Sequence, residues 1–258
     1  MRTYLDTSAW NKLADGIAVD TTGEVVFSSC NLDEFGMAPR AGQKVLAQLA
    51  WEQTNKAKLL DHVELMAAEI RGEDKVFDDE DPNFIDAWTI MRGPGLPAEL
   101  DAVFRAQSQQ AKQEVHTFLC QMRDQYRASF AEFRRRGLST DWDTFMHELV
   151  AEGRLVAHHS AMFADSGYRV DVEGALAGSG YRDFPATATW SQYYFALGYL
   201  AAHGEGRISR PDSGDQVDHR HAVYAGVVDV FVTGDWRMHE ILTTMVDSKI
   251  ADVRLVDG

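Results

Sequence analysis

Short apolar segments lie near both ends of the chain. Val25-Val26-Phe27-Ser28, Val230-Phe231-Val232-Thr233 and Val253-Arg254-Leu255-Val256 are too short for helices, and the β-prone residues from Thr3 end at once on Asp6. Apolar runs without polar alternation are typical of parallel strands that are buried on both faces. The pattern therefore predicts two strands near the start of the chain and two near its end.

Helical spacing of apolar residues fills the sequence between these strands. Ser8 or Thr7 is expected to cap a first short helix, and further helices are predicted over residues 41–70, 97–136, 141–152, 186–203, 215–227 and 237–246. A short strand near residues 63–66 is the alternative to a helix there. Strands and helices that alternate at both ends predict one α/β domain over residues 1–258 with a central parallel sheet. Its core would be residues 1–60 and 205–258, with a helical insertion at about 61–204.

Composition narrows the class of protein. The chain has 258 residues and 45% hydrophobic residues, which is enough for a core and excludes disorder. Its 25 Lys+Arg and 40 Asp+Glu give 25 − 40 = −15, a charge that opposes a broad basic face for duplex nucleic acid. Ten acids and two bases between residues 61 and 86 supply 2 − 10 = −8 of this charge, so the predicted core need not be acidic.

The compartment is predicted from two further features. Cys30 and Cys120 form no CxxC pattern, so we expect reduced, packed thiols. The first residues hold no apolar signal region, and no apolar stretch approaches the about 18 residues that span a bilayer. The expectation is a cytoplasmic protein with no membrane partner.

Four carboxylates are predicted to meet at one edge of the sheet. Asp6 ends the first strand, Glu34 lies on the helix after the second, Asp218 lies on the penultimate helix, and Asp235 follows the third strand. The carboxyl ends of parallel strands meet at one edge, where such folds bind ligands. Four unpaired charges there would repel, and oxygen ligands suit Mg²⁺ or Mn²⁺. Such ions activate water for phosphodiester hydrolysis.

Each acid also has a simpler interpretation. Asp6 could only cap the helix that follows it, Asp235 could be a turn residue, and Glu34 and Asp218 could be solvated helix charges. Asp33 is the alternative to Glu34, and Asp215, on much the same helix face, is the alternative to Asp218.

Several motifs together resemble those of PIN-domain ribonucleases. They are Tyr-Leu-Asp-Thr-Ser-Ala at 4–9, Asp-Glu-Phe at 33–35, Asp-His-Arg-His-Ala at 218–222 and Val-Asp-Val-Phe-Val-Thr-Gly-Asp at 228–235. The resemblance implies a PIN-like, Rossmann-like three-layer α/β/α sandwich and a Mg²⁺- or Mn²⁺-dependent endoribonuclease. It assigns the metal and catalytic roles to Asp6, Glu34, Asp218 and Asp235, and a supporting hydroxyl to Thr233 or Ser8. The chain departs from compact members because Glu34 and Asp218 are 184 residues apart in sequence.

Partners follow from the same interpretation. The substrate would be single-stranded or structured RNA, with DNA as an alternative, and Arg134, Arg135 and Arg136 at the end of a predicted helix are candidates for phosphate contact. An antitoxin-like protein and a homodimer are further expectations drawn from the family.

Two other functions stay open at the level of the sequence. One is a non-catalytic PIN-like module that binds RNA or protein. The other is a phosphatase with Asp6 as its nucleophile, which would need a second Asp where this chain has Ser8.

Overall fold

A four-stranded parallel sheet forms the centre of the fold. The computed structural model describes residues 1–54, 58–78, 89–94, 97–178, 180–203, 215–244 and 250–256. The strands are β1 (Arg2–Leu5), β2 (Glu24–Val26), β3 (Val230–Thr233) and β4 (Asp252–Leu255), and their order across the sheet is β2-β1-β3-β4. The chain therefore adds β2 on one side of β1 and β3 on the other, and the strand order switches between β1 and β3. The predicted α/β class with a parallel sheet is confirmed.

Register places the strand ends side by side. Thr3 pairs with Val25 of β2 and with Val230 of β3, and Val232 pairs with Leu5 and with Arg254 of β4. As a result β1 and β3 end at the same level, and the residues that follow them emerge next to each other.

Helices occupy most of the remaining described chain. Their bounds are α1 (Thr7–Ala14), α2 (Ser29–Met37), α3 (Arg40–Gln53), α4 (His62–Ile70), α5 (Ala98–Arg135), α6 (Trp142–Ala151), α7 (Arg154–Asp165), α8 (Val172–Leu176), α9 (Pro185–His203), α10 (Asp215–Ala222) and α11 (Trp236–Thr244). Two 3₁₀ turns, Gly180–Asp183 and Val223–Gly226, precede α9 and follow α10.

Both faces of the sheet are buried under helices. Tyr4, Val26 and Phe231 face a large core that the inserted helices complete, whereas Leu5 and Val232 face a smaller core built from α1, α2 and α3. Because strand side chains alternate between faces, a sheet with apolar residues on both sides needs a helix layer on each. This arrangement is compatible with a three-layer α/β/α fold.

The inserted helices pack around α9. This helix contacts α4, α5, α10 and α11, and nearly all its residues are buried. A Cβ atom at Gly198 would lie 2.6 Å from Met122 and from Tyr126 of α5, so glycine permits the close approach of these two helices. No helix in the described ranges is long and apolar enough to cross a membrane.

The structure corrects several local predictions. Residues 63–66 belong to α4, and the extended pairing seen nearby in the described residues consists of single bridges from Lys58 to Phe27 and from Leu59 to Phe77. The cap of α1 is Asp6 and not Ser8 or Thr7, since its carboxylate accepts from the Ala9 amide. The helix expected over residues 215–227 ends at Ala222. The insertion boundary at residue 205, the end of the last helix at 246 and the acids at 79–86 lie outside the described residues.

Candidate active site

Asp6 occupies the point where the strand order switches. It follows β1 directly, is 3% exposed, and its carboxylate is held by three donors. Oδ1 accepts from the Ser8 hydroxyl at 2.6 Å and the Ala9 amide at 2.7 Å, and Oδ2 accepts from the Thr233 hydroxyl at 2.5 Å. Burial raises the pKa of Asp6, although the nearby His221 and these hydrogen bonds favour the charged form.

The turn after β3 is tied to the turn after β1. Thr233 donates to Asp6 and accepts from the Asp235 amide at 2.9 Å, and Ser8 accepts from the Gly234 amide at 2.7 Å. A Cβ atom at Gly234 would lie 3.0 Å from the Ser8 carbonyl, so this crossing is tight. Thr233 and Ser8, the two residues predicted to supply a supporting hydroxyl, therefore both contact Asp6.

Asp235 begins α11. Its Oδ1 accepts from the amides of Arg237 at 2.7 Å and Met238 at 3.3 Å, an N-cap arrangement. Asp235 is half-buried. Its backbone amide donates to the Thr233 hydroxyl, which in turn donates to Asp6. The simpler role predicted for Asp6, the cap of the following helix, is thus present in the structure, whereas Asp235 caps a helix where only a turn residue was predicted. Both residues lie at the same edge of the sheet.

Glu34 reaches the same edge through a histidine. Glu34 on α2 contacts His221 Nε2 at 2.8 Å, His221 Nδ1 contacts the Tyr4 hydroxyl at 2.6 Å, and that hydroxyl contacts Ser28 Oγ at 2.7 Å. Burial raises the pKa of Tyr4 well above its ordinary value, so the phenol keeps its proton. His221 therefore joins the Glu34 carboxylate to the Tyr4 hydroxyl through its two ring nitrogens.

His221 is the residue of this hydrogen-bonded group that was not predicted from the sequence. It is 1% exposed and lies one helical turn after Asp218. The available signal was this spacing of three residues, which places Asp218 and His221 on one face of α10. His219, two residues away, points elsewhere, as expected for a helix.

The remaining predicted acids lie on the neighbouring helices. Asp218 is half-buried on α10, which packs against α2. Asp33, the alternative to Glu34, is exposed and pairs with Arg220 at 3.4 Å. Asp215 begins α10, and its side chain is outside the described part of the structure. Among the described residues, no group of three His, Cys, Asp or Glu side chains is arranged to hold a metal ion.

The predicted phosphate-binding arginines lie at the C-terminal end of α5, which ends at Arg135, and all three are exposed. Arg135 pairs with Glu132 at 2.7 Å and Arg136 with Glu148 at 2.7 Å. Surface pairs of this kind contribute little to stability, so these side chains keep their freedom to exchange partners.

His158 and His159 pack against α9 within the inserted helices. His159 is fully buried between Leu155 and Ser191, and His158 is half-buried and stacks on Trp190 and Tyr194.

The chain matches no family model, no curated protein and no solved structure. The resemblance to PIN-domain ribonucleases therefore rests on the motifs themselves, and function has to be inferred from the chemistry of the site.

Proposed function

We propose that this protein is a Mg²⁺- or Mn²⁺-dependent nuclease of PIN-like fold that hydrolyses phosphodiester bonds in RNA. The observation that carries the proposal is the position of Asp6 and Asp235. They follow the adjacent strands β1 and β3, at the switch in strand order, and Thr233 hydrogen-bonds to both residues. Open α/β sheets bind ligands in this crevice.

The donor set fits a hard divalent cation. Mg²⁺ is usually bound through one or two carboxylates, keeps several water molecules and takes further oxygens from substrate phosphates. Asp6 and Asp235 would be the direct ligands, and Glu34 and Asp218 would hold the water shell. A cation bound there would acidify a water molecule and neutralise charge on the phosphoryl oxygens.

The chain's own residues hold these carboxylates in place. Ser8 and Thr233 fix the orientation of Asp6, and His221 fixes Glu34. Partners of this kind, one step outside the ligands, usually matter about 10–100-fold for metal affinity or activity. The inserted helices would select the substrate. An antitoxin-like partner, a homodimer and a cytoplasmic location stay predictions.

The test is cleavage of a labelled single-stranded RNA with Mn²⁺ or with EDTA. We expect Asp6→Asn to lower the rate by more than the about 100-fold that loss of an outer partner costs. Asp229→Asn is the matched control, because Asp229 lies at the opposite edge of the sheet and bonds the Arg2 amide at 2.6 Å. Equal cleavage by both variants, or cleavage that persists in EDTA, would contradict the proposal.

A non-catalytic binding module is the second candidate. It is favoured by the protein donors on both oxygens of Asp6 and by the lack, in the described ranges, of three converging metal ligands. In that case Asp6→Asn would change stability, and the parent protein would bind RNA without cutting it under any divalent cation.

A further inference from the structure

Lys12 lies beside the two turns that carry Asp6 and Asp235. It is the fourth residue after Ser8 on α1, so the side chains of Ser8 and Lys12 share one face of this helix. A Cβ atom placed on Gly234 would lie 3.0 Å from the Ser8 carbonyl and 3.2 Å from Lys12 Cγ. The stem of Lys12 therefore lies against the turn that connects β3 with α11.

Helix geometry directs the Lys12 side chain back toward the candidate active site. The helix α1 begins after its cap Asp6 and packs against β1 and β3, and side chains on a helix tilt toward its N-terminus. Lys12 lies about 6 Å along the helix axis from Ser8, because each residue adds about 1.5 Å. Its four-carbon stem spans such a distance, and the residue is half-buried, as is typical of a lysine whose stem packs on the protein.

The Lys12 ammonium makes no ion pair and no hydrogen bond within the described part of the chain. The carboxylates near it are engaged by other donors. Asp6 accepts from two hydroxyls and one amide, and Asp235 Oδ1 accepts from two amides of α11. The lysine is thus not used to neutralise either acid, and its charge is available to an anion from solution.

The chemistry of the candidate active site calls for such a cation. Carboxylates at the strand ends repel the phosphates of an approaching strand, and a metal ion offsets this repulsion only at the phosphate that it binds. The neighbouring phosphates need cationic side chains. Lysine binds phosphate as a point charge on a flexible stem, which suits a strand that moves through the site.

We propose that Lys12 binds a phosphate group of the nucleic-acid strand, next to the phosphate that is cleaved. The cleavage of that strand rests on the proposed function. The contact rests on the position of Lys12 against Gly234 and on its ammonium having no partner in the described ranges. A phosphate contact carries no sequence information, so Lys12 would hold the strand in register without selecting a base.

The test is titration of the full chain with short labelled single-stranded RNA in EDTA, at several salt concentrations. Each phosphate that a protein neutralises contributes about −0.7 to the slope of log K against log salt for single strands. We expect Lys12→Gln to make this slope less steep by about 0.7 and to weaken binding about fivefold at about 0.1 M salt. Oligo(U) and oligo(A) should lose affinity equally, because the contact does not read the bases.

Lys44→Gln is the matched control. It removes the same charge from an exposed position on α3, and Lys44 takes part in none of the described contacts that join the two turns. Its slope and affinity should equal those of the parent protein. Lys12→Arg keeps the charge and should also keep the slope of the parent protein.

A second measurement separates phosphate binding from a structural role. Lys12 lies in the last turn of α1, where a cation complements the helix dipole. If this were its whole role, Lys12→Gln would lower the stability toward urea and leave the salt slope of the folded protein unchanged. In cleavage with Mn²⁺ we expect Lys12→Gln to raise KM about fivefold at nearly constant kcat, since the contact is made both before and during the reaction.

The outcomes separate this proposal from the proposed function. A less steep slope in Lys12→Gln, with the slope of the parent protein in Lys44→Gln and Lys12→Arg, supports the phosphate contact even where no RNA is cleaved. Equal slopes in Lys12→Gln and the parent protein overturn it, even where the parent protein cleaves RNA. Absence of strand binding by the folded parent protein overturns it as well.

Discussion

A carboxylate at 3% exposure needs a specific reason to stay where it is. Asp6 has three hydrogen-bond donors, and each of them lies next to a strand end: Ser8 and Ala9 after β1, and Thr233 at the end of β3. The Asp6 carboxylate therefore caps α1 and at the same time joins the turns that follow β1 and β3. The hydrogen bonds that offset the cost of burying this carboxylate also hold the ends of the two strands together.

The Tyr4 hydroxyl is expected to contribute measurably to the free energy of unfolding. It contacts Ser28 and His221 inside the core, so Tyr4→Phe leaves the Nδ1 of His221 without its partner. We expect a loss of about 1–3 kcal/mol in the free energy of unfolding, measured by urea denaturation. His221→Gln should cost a similar amount.

A double-mutant cycle checks that the two residues act through each other. The combined variant should lose less than the sum of the single losses, with a coupling of at least about 0.5 kcal/mol. Strictly additive losses would mean that the contact between Tyr4 and His221 contributes nothing of its own.

Single residues also show where sequence reasoning ends. Asp6, Ser8 and Thr233 could be predicted as neighbours because parallel strands bring their carboxyl ends together. The contact of Glu34 with His221 could not, since it joins helices 187 residues apart in sequence, and nothing local fixes which side chains of two helices face each other.

At the scale of elements, the pattern of apolar residues predicted the strands and helices whose positions depend on local sequence. The strands and the long helix ending at Arg135 appear within a few residues of their predicted bounds. The uncertain assignment concerned residues 63–66, where a short apolar run fits a strand or a buried helix equally well. There the capping carboxylate of Asp61 and the surrounding core favour α4.

The start of α9 depends on a side chain from another helix. Glu69 of α4 accepts from the amides of Ala186 and Thr187, at 2.9 Å each, and from the Thr187 hydroxyl at 2.7 Å. A carboxylate at a helix N-terminus satisfies free amides and complements the helix dipole. Burial raises the pKa of Glu69 in spite of these bonds, so the site is well shielded from water.

Removal of this contact should be costly. We expect Glu69→Ala to lower the free energy of unfolding by about 2 kcal/mol, measured by urea denaturation. Glu64→Ala is the control, because Glu64 lies on the same helix and is equally half-buried but makes no hydrogen bond to α9 among the described residues; it should stay within about 0.5 kcal/mol of the parent protein. Equal effects of the two variants would show that Glu69 does not anchor α9.

At the scale of the molecule, the net charge of the chain does not describe the charge at the candidate active site. Residues 61–86 carry −8 of the net charge of −15, whereas the strand ends carry only a few acids, whose carboxylates accept hydrogen bonds or contact His221. Total charge therefore opposes broad binding to duplexes but does not prevent a single strand from meeting the edge of the sheet.

The inserted helices should make the whole molecule sensitive to mild acid. Burial lowers the pKa of His159 to about 4, although carbonyl contacts oppose it, and burial together with His159 lowers the pKa of His158 to about 3. The unfolded chain takes up these protons below about pH 6.5, and the folded protein does not until much lower pH. Stability is therefore complete above pH 6.5 and falls as the pH decreases toward 4.

Urea denaturation at several pH values measures this loss. Each histidine contributes at most about 1.4 kcal/mol per pH unit, or roughly 2 kcal/mol between pH 6.5 and 5. Asp6 and Glu69 have raised pKa values and act in the opposite direction, so the decisive quantity is a difference between variants. His159→Gln should flatten the dependence, whereas His147→Gln, at an 81% exposed side chain, should not. The same slope in both variants would mean that His159 already carries its proton in the folded protein, contrary to its burial between α7 and α9.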